Sequence, residues 1–196
     1  MATIIFRDRS DKLTEPQKEE IRLAFDWALS TQRLVEQDFN ALSNVRRRAR
    51  SRVIRNYPSI ERWIGMQSVG RLRRITRRVS KLRKWLENRR IIVVFHEQQD
   101  FICSDARRGA SRGARFISPV IRFHMCERFF ESSSLNRRAD LIIHELCHEM
   151  GHLHVINDTH AKIVELARNQ YRYRVARNPY MYQGLFREYT SEPISV

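Results

Sequence analysis

The sequence predicts an α+β fold, mostly helical with a small sheet. Two long stretches carry apolar residues at three- and four-residue spacing, two short extended runs follow them, and a histidine-rich segment of helical spacing comes last. At 196 residues and 23.5 kDa the chain has room for one domain around a single core. Residues 1–196 are therefore read as one domain, with basic helices over 1–90 and the sheet and histidine-bearing helices over 91–196. Hydrophobic residues at 42% and charged residues at 30% exclude a disordered or collagen-like chain.

Thr14-Glu15-Pro16-Gln17 reads as a helix start, with Thr14 as N-cap, Gln17 completing a capping box and Pro16 tolerated in the first turn. The helix it opens sets Ile21, Phe25, Ala28, Val35, Phe39 and Leu42 on one face, interrupted by Gln32. Asn56-Tyr57-Pro58-Ser59 breaks the pattern. After Gly70 a second helix carries Leu72, Ile75, Val79, Leu82 and Leu86 on one face and arginines over the others. Ile91 to Phe95 is a continuous apolar strand, and Phe116 to Met125 is a second extended stretch interrupted by Pro119. The polar, basic Ser104 to Arg115 between them is expected to be a loop, and the segment near Ile117 to His124 the edge strand of the sheet. Ile163, Leu166, Ala167 and Gln170 indicate a later helix for which Asn157 or Asp158 is a good N-cap.

The net charge of +15 is unevenly placed: between Ala41 and Arg90 there are 17 basic residues and two acidic ones, so the rest of the chain sums to zero. A nucleic acid or an acidic protein is the expected partner of the segment 41–90. No apolar run approaches the ~20 residues of a membrane span, and Arg7, Asp8 and Arg9 stand where a signal peptide would need an apolar stretch. The expectation is a chain without membrane attachment that is cytoplasmic, or exported by a route independent of a signal peptide. Cys103, Cys126 and Cys147 are odd in number and lack a CxxC spacing, against a cysteine zinc site. Free thiols are expected, with Cys103 and Cys126 as the pair that could join on export, and Cys147 as a small buried apolar residue.

Five of the seven histidines fall between 144 and 160. His144 and His148 are one helical turn apart, so both imidazoles project from one face and can bind a single Zn²⁺. Glu145 is rotated about 100° from His144, within reach of a water on that ion and poorly placed as a further ligand. This His-Glu-x-x-His arrangement is that of metal-assisted hydrolysis, in which the ion acidifies a water and the carboxylate takes its proton. The apolar Leu141-Ile142-Ile143 before it would anchor the helix in the core.

The segment Ile121-Arg122-Phe123-His124-Met125-Cys126-Glu127-Arg128-Phe129-Phe130, the ten-residue gap, and Leu141 through His148 resemble the deuterolysin and peptidyl-Lys metalloendopeptidase family, the aspzincins. Arg62-Trp63-Ile64-Gly65 resembles the family's aromatic-Gly element, and Ala176-Arg177-Asn178-Pro179-Tyr180-Met181-Tyr182 its Asn-Ala-Asp-Ser-Tyr segment, so the likeness spans roughly 60–188. It implies a zincin-like metallopeptidase domain, a zinc cofactor, a protein or peptide substrate, and Asp158 as third ligand. Tyr182, or Tyr180, is the candidate oxyanion donor, because Ala161 and Lys162 occupy the family's usual tyrosine position. Tyr180 also stands where the family has its lysine-binding Asp.

Two other readings compete. His144 to His154 has the metzincin spacing HExxHxxGxxH, in which Gly151 lets the chain turn and His154 becomes the third ligand, with Met181 as a Met-turn; small nucleic-acid-associated zincins of the SprT type also suit His154. A nucleic-acid-binding protein with a structural or vestigial zinc site would instead close the fourth coordination position with protein.

Overall fold

In the computed structural model, which describes residues 2–7, 12–46, 49–64, 69–97, 103, 110–112, 120–131, 134–150, 164–165 and 178–191, the fold is α+β and mostly helical. The elements in chain order are β1 (Thr3–Arg7), α1 (Glu15–Asn44), α2 (Arg50–Ile54), α3 (Pro58–Ile64), α4 (Val69–Asn88), β2 (Arg90–His96), β3 (Ala110–Arg112), β4 (Val120–Cys126), α5 (Arg128–Glu131), α6 (Leu135–Glu149) and α7 (Pro179–Ser191). The chain divides into two compact units. One comprises Met1–Leu29 with Lys84–Gly151, the other Ser30–Arg83 with His152–Val196.

The first unit is built on a four-stranded sheet of order β1-β2-β4-β3. Strands β1, β2 and β4 run parallel, and β3 closes one edge antiparallel to β4. Ile91 and Val93 of β2 share a face with Ile121, Phe123 and Met125 of β4, all buried. That face meets α1, whose Phe25 ring stands edge-on to Phe123 with centroids 5.3 Å apart. Ile92 is buried on the other face, so β2 is covered on both sides at its start, which explains its unbroken apolar run. Helix α1 begins with the capping box its sequence encodes: Thr14 N–H donates to Gln17 Oε1 at 2.9 Å, and Gln17 N–H donates to Thr14 Oγ1 at 3.3 Å.

The structure departs from the sequence reading at three places in this unit. Thr3–Arg7, which has no strong period-2 signal, is a strand because Ile4 and Ile5 align with Ile91 and Ile92. Ala110–Arg112 lies within the expected loop and forms one edge of the sheet, so β4 is interior where β3 covers it: Ala110, Ser111 and Arg112 pair with Met125, His124 and Phe123. Residues 113–119, the end of the expected loop and the first part of the expected second strand from Phe116, lie outside the described residues. Finally, Cys103 and Cys126 are joined in a disulfide rather than standing as free thiols. Their Cα atoms are 5.8 Å apart, inside the range a disulfide requires. Cys147 is buried and outside the bridge, as expected.

In the second unit, Val35, Phe39 and Leu42 of α1 and Leu72, Ile75, Val79 and Leu82 of α4 are buried. Gln32 looked like an interruption of the α1 face, yet its side-chain amide donates to the Val79 carbonyl at 3.1 Å and is 2% exposed. Arg83 and Glu36 pair between the same two helices at 2.5 Å. Helices α3 and α7 pack closely: a Cβ on Gly184 would collide with ring carbons of Trp63. Glu188 of α7 accepts from Arg62 Nη1 at 2.5 Å and Trp63 Nε1 at 3.3 Å, and Tyr189 donates to Asp38 at 2.6 Å. No helix among the described residues is long and apolar enough to cross a membrane.

Candidate metal centre

Helix α6 carries the His-Glu-x-x-His pattern. Ser134 at its N-cap is extended, with φ −103° and ψ 122°, and its carbonyl accepts from the amides of Arg137 and Arg138. From Ala139 to Cys147 every residue but Leu141 is buried, so α6 is a core helix rather than an amphipathic surface one. Its N-terminal half is held by Arg138. That guanidinium donates to the carbonyls of Phe129 and Phe130 at 3.3 and 3.2 Å, pairs with Glu20 of α1 at 2.9 Å, and lies over the Phe129 ring. Along the chain Arg138 looks like one more solvated cation, and its anchoring role shows only in the packed structure.

Within this frame the imidazoles of His144 and His148 converge. Their Nε2 atoms stand 3.2 Å apart and the ring planes meet at 73°. Two tetrahedral zinc ligands at ~2.0–2.1 Å from the metal are about 3.3 Å from each other, so the pair fits adjacent positions on one ion. His144 and Glu145 are 7% and 9% exposed and His148 is half-buried, which leaves the two ring nitrogens and a carboxylate in a partly desolvated setting. Helix α6 also lies beside β3, the antiparallel edge of the sheet.

Among the described residues no group of three His, Cys, Asp or Glu side chains forms a metal site. Asp158 and the competing His154, with His152 and His160, lie outside the described residues. Tyr182 is buried in α7 and Tyr180 half-buried at its start, where the Asn178 side chain caps the helix by accepting from Tyr180 N–H at 2.9 Å. Trp63, in one piece of the family resemblance, lies against Gly184 of α7, two residues beyond the other piece.

The two histidines outside the cluster also meet. His96 at the end of β2 and His124 of β4 stack with ring centroids 5.0 Å apart, and His96 Nε2 lies 2.8 Å from His124 Nδ1. The pKa of His124 is lowered from the ordinary 6.5, first by burial, then by His96 and Arg122. Nothing in the spacing of 96 and 124 announces this pair; the parallel register, with Val94 opposite His124, creates it.

No protein-family model and no curated protein matches the chain in sequence. Among solved structures it is similar to a zinc peptidase from Grifola frondosa, with TM-score 0.64 over 92% of this chain and 100% of that one, at 12% identity. At that identity the likeness is one of fold.

Proposed function

We propose that the chain is a zinc-dependent metalloendopeptidase. The observation that carries this reading is the convergence of His144 and His148 Nε2 at 3.2 Å, with Glu145 beside them on the same buried helix, in a chain whose fold is like that of a zinc peptidase. His144, His148 and Asp158 would hold the ion. A bound Zn²⁺ would polarise the scissile carbonyl and lower the pKa of the attacking water. Glu145 takes the proton from that water and returns it to the departing amine. The edge strand β3 is where an extended substrate would lie, since its outer backbone groups offer a strand-addition edge beside α6. Tyr182, or Tyr180, supplies the oxyanion donor.

The test is cleavage of a denatured protein by the zinc-loaded chain and by Glu145→Gln. The substitution should keep zinc content and fold while lowering activity by ~10² or more. Equal cleavage by the variant removes Glu145 from the role of base, and no cleavage by the zinc-loaded wild type sinks the reading. In a parallel metal titration Asp158→Ala should weaken zinc binding more than His154→Ala. The reverse order makes His154 the third ligand.

A further inference from the structure

Helix α4 concentrates positive charge on its exposed surface. Between Arg71 and Leu86 it has no acidic residue. Leu72, Ile75, Thr76, Val79 and Leu82 are buried, whereas Arg73, Arg74, Arg77 and Lys81 are exposed. At 100° and 1.5 Å per residue these four cations share an arc of about 100° along about 12 Å of helix. The pairs Arg73/Arg77, Arg77/Lys81 and Arg74/Arg78 put like charges at i,i+4 spacing, an arrangement that weakens a helix.

The chain uses the ordinary alternative elsewhere. On α1, Glu15 pairs with Lys18 at 2.7 Å and Glu19 with Arg22 at 3.1 Å, neutralising that solvated face locally. Among the described residues no acidic side chain pairs with Arg73, Arg74 or Arg77. A solvated face needs no such accumulation of like charge, whereas a polyanion would relieve it. Three of the four groups are guanidiniums, whose planar fork matches phosphate. The apolar side of α4 is already in the core, so the helix has no face left to insert into a lipid surface.

We propose that the exposed Arg73, Arg74, Arg77 and Lys81 of α4 form a docking surface for the phosphate backbone of a nucleic acid, independent of base sequence. It uses none of the residues of the peptidase reading, so each can fail without the other. With four phosphates neutralised, log K against log salt should fall with a slope of about −3 to −4, roughly a hundredfold loss between ~50 and ~200 mM.

The experiment is fluorescence anisotropy of the full chain with a labelled DNA duplex across that salt range. The quadruple variant R73Q/R74Q/R77Q/K81Q should bind at least tenfold more weakly at low salt with a much flatter slope. R73K/R74K/R77K, which keeps the charge, should retain the slope. A control that removes four cations outside this helix, K18Q/R22Q/R128Q/R137Q, should bind like wild type. Circular dichroism confirms that each variant is folded. Absence of duplex binding at ~50 mM salt, equal losses in the α4 and control quadruples, or saturable binding to an acidic peptide or anionic vesicles without duplex binding would each overturn the proposal.

Discussion

His124 is held in its neutral form by its surroundings. Burial is the largest cause, and the His96 ring and Arg122 guanidinium add to it. A histidine whose folded pKa lies below its unfolded value binds protons more readily when the chain unfolds. Its contribution to stability is therefore complete above the unfolded value of 6.5 and is lost as pH falls through 6.5 toward the folded value. Urea midpoints measured from pH 8 down to 5 should decline for the wild type, and His124→Gln should decline less. Parallel profiles for the two proteins would show that the pair does not titrate with folding. At this scale the sequence was most informative where partners are close along the chain. Thr14 with Gln17 and His144 with His148 were legible, whereas His96 with His124 and Arg138 with the Phe129 and Phe130 carbonyls were not.

Between elements, the tightest constraint is the approach of α7 to α3. Gly184 lets the α7 backbone lie against the Trp63 ring, and Glu188 one turn later ties down the same tryptophan and its neighbour Arg62. Gly184→Ala would gain about 1 kcal/mol of helix propensity, but its methyl must displace an aromatic ring 7% exposed, so a net loss of about 1–3 kcal/mol is expected. Urea unfolding followed by tryptophan fluorescence measures it, and a variant as stable as the wild type would mean the helices have room to spare. The edge strand belongs to this scale too. Ala110–Arg112 has a short, polar, glycine-flanked sequence that reads as loop. It becomes a strand only because β4 offers it the unpaired edge of Phe123 to Met125.

For the molecule as a whole, the disulfide and the charge distribution set the conditions under which it is stable. The Cys103–Cys126 bridge spans 23 positions and ties the Cys103 segment to the end of β4. By loop entropy such a closure contributes about 3 kcal/mol. Replacing both cysteines by serine should lower unfolding free energy by about that amount, and dithiothreitol should do the same to the wild type. Unchanged stability on reduction would remove the bridge from the native state. Such bonds persist in an oxidising compartment, the condition that export would supply. The positive charge is a property of one part of the chain, since everything outside 41–90 is balanced.

What the sequence determined by itself is local: the capped start of α1, the buried stripes of α1 and α4, the apolar run of β2, and a helix presenting two histidines and a glutamate one turn apart. Each of these depends on residues within one or two turns of one another, where backbone geometry alone sets the distances. Tertiary structure decided the rest. It recruited Thr3–Arg7 into the sheet across more than 80 residues of intervening chain, gave the free edge to β3 instead of β4, closed the disulfide, and anchored the histidine helix through Arg138. Strand partners, a bridge and a buried cation are contacts between distant positions. Their geometry exists only after the chain has folded, when burial and backbone hydrogen bonding select one pairing among many that the residues alone would allow.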